Sequence, residues 1–183
     1  MCIRDRRKSI CGGKLCALQM DEGEEMAFHI VFVEPEIPPN TGNIARTCAA
    51  TGSVLHLVKP LGFSIDDKSL KRAGLDYWPF VKLEVHESLD DFMQAYGQGA
   101  HRLFLATTKG GQIYTEPQYR DGDMFLFGKE TAGLPRDFIA QHQETAIRIP
   151  MSADTRLRSF NLANSANIIL FEALRQLGFP GLK

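Results

Sequence analysis

The sequence predicts an α/β domain: a mainly parallel sheet with helices on both faces. Three observations carry that prediction. Short apolar runs recur along the chain, most of them continuous rather than alternating, as in strands buried on both faces. Segments of helical period lie between several of them, which is what parallel pairing needs. At 183 residues, the chain is most simply one domain with a sizeable core.

The first run, residues 29–33, ends in a rigid polar turn, Pro35 to Arg46, reading Pro-Glu-Ile-Pro-Pro-Asn-Thr-Gly-Asn-Ile-Ala-Arg. Pro38 and Pro39 cannot continue a sheet. Asn40 or Thr41 is expected to cap a helix over 41–51. Asn43 and Arg46, three apart, share one face of that helix. Further strands are expected at 54–58, 80–85, 103–106, 124–127 and 146–149, and further helices at 88–96 and 135–141. The last helix is the clearest, because Leu162, Ala166, Ile169, Leu170, Ala173, Leu174 and Leu177 recur at helical spacing. Gly178 and Pro180 supply its stop. Its wide apolar stripe serves the core, a dimer surface, or both.

Hydrophobic residues make up 44% and charged residues 23% of the chain, ordinary for a soluble globular protein. No apolar run reaches membrane-spanning length. The net charge of −1 gives no global sign of a nucleic-acid binder, so phosphate binding would need a local basic patch. Lys68, Lys71 and Arg72 form one such cluster, and Lys59, Lys109, Arg156 and Arg158 fall in or near expected loops. Cys2, Cys11, Cys16 and Cys48 contain no Cys-x-x-Cys pair, and no histidine cluster stands nearby in the sequence. A zinc site is therefore not expected, and a reducing cytoplasm fits this cysteine usage. Residues 1–25 lack the apolar region of a signal peptide. They read as a mis-called start or a disordered leader before a domain over 26–183.

Two further segments carry chemistry. Phe127-Gly-Lys-Glu-Thr-Ala-Gly-Leu-Pro135 follows a buried strand, and Gly128 and Gly133 permit close backbone approach to a ligand. It is not a phosphate-binding P-loop, since Lys and Ser or Thr do not follow the second Gly. No Gly-x-Gly-x-x-Gly fingerprint follows the first strand, which speaks against a dinucleotide-binding domain. The third segment, Ile149-Pro-Met151 through Arg156, Arg158, Ser159, Asn161 and Asn164, leads into the last helix. Capping explains one of Ser159 and Asn161. It does not explain so many polar side chains together before a buried helix.

These three segments resemble the three motifs of the SPOUT class of RNA methyltransferases. The resemblance is closest to the tRNA (cytidine/uridine-2′-O)-methyltransferases of the TrmL (YibK-like) family. Arg-Ala-Gly-Leu-Asp-Tyr at 72–77, Asp-Gly-Asp at 121–123 and Arg-Gln-Leu-Gly-Phe-Pro-Gly at 175–181 extend it over residues 26–181. Lys129 stands where the family often has Pro. The resemblance implies a SPOUT (alpha/beta knot) fold with a C-terminal trefoil knot, a cytoplasmic homodimer, and S-adenosyl-L-methionine as cofactor. It implies methylation, without a metal, of the ribose 2′-hydroxyl of wobble nucleotide 34 in tRNA, with leucine tRNAs as expected substrates. The alternatives are another tRNA or rRNA ribose, or an RNA-binding protein of this fold that has lost catalysis. By motif position, Ala106, Gly128, Ile149, Met151 and Ser159 would touch the cofactor. Arg46, Asn43, Glu130, Ser159 and Asn161 would form the catalytic set. A chain that starts at Met26 is expected to fold and act as the full chain does. Loss of the folding transition or of turnover on that truncation would contradict a dispensable leader.

Overall fold

The structure is a computed structural model, and it describes residues 27–64, 77–99, 101–154, 156–157 and 159–183. The leader, Lys68, Lys71, Arg72 and Arg158 lie outside the described residues. Seven strands form one sheet: β1 (His29–Val33), β2 (Val54–Val58), β3 (Lys82–His86), β4 (Leu103–Ala106), β5 (Gln112–Ile113), β6 (Met124–Phe127) and β7 (Ala146–Arg148). Their order is β3-β2-β1-β6-β4-β7-β5, and every pairing is parallel. The chain lays β1 to β3 outward in one direction, then returns to build the other half, with β6 placed between β1 and β4. Open parallel sheets bind ligands outside the carboxyl ends of the strands, where the order reverses.

The helices cover both faces. Alternation along β1 divides the core: Ile30 and Phe32 pack with Ile44, Ala45 and Cys48 of α1 (Pro38–Thr51) and with Ala166, Ile169, Leu170 and Ala173 of α4 (Leu162–Gln176). Val31 and Val33 point the other way, onto Phe92 of α2 (Leu89–Tyr96) and the flank of α3 (Arg136–Gln141). With both faces covered, strands such as β6, buried at every residue, have no polar side. That is why they read as continuous apolar runs. Truncating a buried leucine such as Leu170 typically costs about 2–5 kcal/mol.

Local chemistry sets the ends. Ser88 accepts a hydrogen bond from the Asp91 amide at 3.0 Å and caps α2. After α4, the Phe179 amide donates to Leu174 O and the Gly178 amide to Arg175 O. Gly178 supplies the left-handed φ of +74° that this closure requires. Three boundaries depart from the sequence expectation. The third strand begins at Lys82, because Trp78–Phe80 winds into a 3-10 turn. Strand β5 was not anticipated; two residues carry no pattern. Helix α1 begins at Pro38, with its prolines at the first two positions and no side chain capping it at Ile37. Proline suits those positions, where a missing N–H leaves no helical bond unmade. Asn40 and Thr41 therefore sit inside the helix, and neither caps it.

The strands that begin the second half are anchored by one ion pair. Asp123, 1% exposed, accepts from Arg102 Nε at 2.8 Å and Nη2 at 2.6 Å, and from the Arg120 amide at 2.8 Å. It thereby joins the start of β6 to the start of β4. Asp123→Ala would strand a partly buried guanidinium and is expected to cost about 2–3 kcal/mol. The measurement is the denaturant midpoint, and an unchanged midpoint would contradict the anchor.

Candidate active site

Loops at the carboxyl ends of β1, β4, β6 and β7 converge and wall an open cleft of about 910 Å³. Ala106, Gly128, Ile149, Met151 and Ser159, the residues expected to touch a cofactor, all line it. So do Asn40, Glu130 and Asn161. The loop after β6 is tight: the Gly133 amide donates to Lys129 O at 2.8 Å. Gly128 lies so close to the backbone of Gly133 and Leu134 that a Cβ there would overlap it. Only glycine permits that closure. The cleft has the size of small-molecule sites in general. Apolar side chains and main chain make much of its wall, which suits a ligand with a flat ring read by backbone groups.

One carboxylate ties the loops together. Glu130 Oε2 accepts from the Glu36 amide at 2.8 Å, and Oε1 accepts from the Ile37 amide at 3.3 Å and from Asn40 Nδ2 at 2.7 Å. The turn that leads into α1 is thus held by a residue from the far half of the chain, and its negative charge meets the positive end of the helix dipole. Asn40, 4% exposed, passes the connection on: its Oδ1 accepts from Asn161 Nδ2 at 2.9 Å. Asn161 Oδ1 accepts from the Asn164 amide at 3.2 Å and so caps α4. A carboxylate only accepts and a backbone amide only donates, so each asparagine has a single consistent orientation. All three motif loops are locked in one register.

A second bridge reinforces the first. Thr131 donates to Glu36 Oε2 through its hydroxyl at 2.8 Å and its amide at 3.1 Å. Lys129 Nζ donates to Glu34 Oε2 at 2.8 Å, and that bond raises the Lys129 ammonium above its ordinary pKa. Glu34 holds a left-handed φ of +52° where β1 ends, a costly conformation for a residue with a side chain. The lysine that departs from the family text therefore has a partner of its own.

The expected catalytic residues divide into two groups. Glu130, Ser159 and Asn161 come together at the cleft. Asn43 and Arg46 do share an exposed face of α1, but neither lines that cleft. The Arg46 guanidinium lies over the Tyr77 ring, 4.6 Å from its centroid. Of the two capping candidates before α4, Asn161 caps and Ser159 is left exposed to the cleft. Arg156 pairs with Asp154, and Lys59 pairs with Glu87 at 2.7 Å. Sequence reasoning missed Asn40 as the central link and Glu36 as the acceptor for Thr131. Asn40 carried a signal, since a polar residue directly after two prolines invites a role, but capping absorbed it.

Residues 27–171 match the model of the SpoU rRNA Methylase family. A tRNA (cytidine(34)-2′-O)-methyltransferase of Escherichia coli (strain K12) is 49% identical over 154 residues, covering 84% of this chain and 96% of that protein. A solved structure that gives structural insights into the 2-OH methylation of C/U34 on tRNA is similar, with a TM-score of 0.79. It is 44% identical and covers 84% of this chain and 97% of its own. The AdoMet-bound rRNA methyltransferase from Sinorhizobium meliloti matches with a TM-score of 0.74 and 27% identity, over 84% of this chain and 58% of that longer one.

Glu130→Gln keeps the shape but sets an NH₂ against N–H donors. It is expected to lower stability by about 1–3 kcal/mol and to show coupling with Asn161→Ala in a double-mutant cycle. Strict additivity of the two in denaturation would contradict the linked network.

Proposed function

The chain belongs to the SpoU rRNA Methylase family, and on that premise we propose that it methylates the ribose 2′-hydroxyl of wobble nucleotide 34, cytidine or uridine, in tRNA. The methyl donor is S-adenosyl-L-methionine. The observation that supports the donor is the cleft itself, where apolar Ala106, Ile149 and Met151 and the Gly128 backbone meet polar Ser159. When bound, the donor supplies an electrophilic methyl on a cationic sulfur, and the transfer needs no metal.

The protein's part is positioning and charge. Glu130 has its acceptor sites committed to Glu36, Ile37 and Asn40, so it organises the loops rather than taking the hydroxyl proton. Asn161, locked through Asn40, fixes where α4 starts and with it the loop bearing Ser159, which serves the methionine end. Arg46 stays protonated and cannot be a base. It clamps a phosphate and stabilises the charge that develops on the 2′-oxygen, with Asn43 beside it orienting the ribose. The proton leaves to water or a phosphate oxygen.

Arg46 stands outside the cleft lining of its own chain, which favours a homodimer that carries α1 of one copy toward the cleft of the other. Exposed Phe171 on α4 favours a protein partner on that helix. The threaded trefoil knot belongs to the same reading. No helix among the described residues is long and apolar enough to cross a membrane; a cytoplasmic site of action and leucine tRNA substrates belong to the same proposal.

Arg46→Ala is expected to reduce methyl transfer by two orders of magnitude or more. It should leave S-adenosylhomocysteine binding, measured by calorimetry, within a few-fold of the parent. Turnover like the parent's would refute the role of Arg46, and failure of the parent to bind S-adenosylhomocysteine would refute the donor.

A further inference from the structure

Four of the five histidines in the chain gather on the α2 face of the sheet, far from one another in sequence. Parallel register brings them there: His56 on β2 pairs with Glu84 on β3, and His86 follows two residues later on the same side. His29 Nδ1 lies 2.8 Å from His56 Nε2, and His56 Nδ1 lies 3.0 Å from His86 Nε2. The His101 ring stands 5.2 Å from that of His29. Glu84 Oε2 is 3.7 Å from His56 Nδ1 and 4.0 Å from His86 Nε2, and it accepts from the Tyr96 hydroxyl at 2.7 Å. None of these side chains lines the cleft.

We propose that His56 Nδ1, His86 Nε2 and the Glu84 carboxylate form a binding site for one divalent transition-metal ion, with zinc the best fit. The three atoms lie within 4.8 Å of one another. Their separations of 3.0, 3.7 and 4.0 Å define a point about 2.1 Å from each, the usual length of a zinc bond to imidazole or carboxylate. Two imidazoles and one carboxylate are a borderline donor set of the kind zinc accepts, and calcium and magnesium prefer oxygen alone. The supporting partners are also in place. In the tautomer that ligates, His56 Nε2–H donates to His29 Nδ1 across their 2.8 Å contact, and the Nδ1 lone pair of His56 faces His86 and Glu84. Tyr96 fixes the carboxylate. Such outer contacts orient ligands and raise their affinity.

Protonation and access agree with the geometry. Burial above all, with His101 next, lowers His29 to about 4. Burial above all, with His29 and His86 next, lowers His56 to about 2. Burial also lowers His86. Neutral imidazole is the ligating form. His86 turns its proton to Nδ1 when it ligates, so binding releases no net proton from the rings. Glu84 is half-exposed at the sheet's edge strand, which gives an ion an entry path and leaves a fourth position for water. The sequence offered no such site, because His56 stands on a different strand from Glu84 and His86, far from them in sequence, and the three form no local spacing motif. Bound there, the ion would staple β3 to β2.

The test uses untagged full-length protein carrying Cys2→Ser, Cys11→Ser and Cys16→Ser, treated with chelator, then titrated with Zn²⁺ by calorimetry and with Co²⁺ by visible absorption. We expect one equivalent to bind, with Co²⁺ bands of a four- or five-coordinate site and a raised Tm. Glu84→Ala should weaken binding at least tenfold, His86→Gln more so, and Tyr96→Phe by several-fold. Circular dichroism checks each fold; if His86→Gln does not fold, the exposed Glu84→Ala decides alone. Absence of saturable one-to-one binding would overturn the proposal, as would an affinity unchanged by Glu84→Ala.

Discussion

The arrangement rests on the Glu130 carboxylate at the foot of α1. A strand followed by two prolines enters a helix through a turn whose Glu36 and Ile37 amides point to no local acceptor, and no local side chain caps that helix. Glu130 arrives from the far half of the sheet and accepts from both of those amides and from the Asn40 side chain. Hydrogen bonds to a charged group contribute about 1.5–3 kcal/mol each, more than neutral ones. The interaction is therefore strong enough to set the position of one loop against another. Every later contact in the cleft, from Asn40 to Asn161 to the start of α4, inherits its geometry from that one.

This architecture separates two tasks. The strand ends and the tight loop at Gly128 make a cleft with a mixed apolar and backbone wall. The cationic group, Arg46, is carried on the outer face of α1, steadied by the Tyr77 ring. The two are linked through the backbone of α1, whose first turn is held by Glu130. Displacing that turn would move Arg46 and the cleft wall together. A parallel sheet suits this coupling, because β1, β6, β4 and β7 all end on one side and their loops must meet there.

Much of this was legible in the sequence where a physical pattern was local. Strands β1, β2, β4 and β6 announced themselves because both faces are buried, so apolar residues dominate them and His56 alone interrupts a run from within. Helix α4 did so through its period, and its stop through Gly178. The cleft residues could be named because the family resemblance assigns them by motif position. What the sequence hid was long-range or short. Strand β5 is too brief to carry a period. Asn40 looks like a cap in the sequence, since nothing local reveals that a carboxylate from residue 130 holds its side chain. The chain His29–His56–His86 depends on register between strands, and periodicity within each strand is blind to it. Arg46 and Glu130 are expected in one catalytic set, and within a single chain the helix carries Arg46 on a face outside the cleft lining, which no local pattern reveals.

The central claim is that this framework directs one methyl group to one ribose. Its most direct test is to incubate purified protein with S-adenosyl-L-methionine and unmodified tRNA, then map ribose methylation nucleotide by nucleotide by mass spectrometry. The account predicts a single new 2′-O-methyl at nucleotide 34, on cytidine or uridine. A methyl on a base, a methyl at another ribose, or no methyl at all would contradict it.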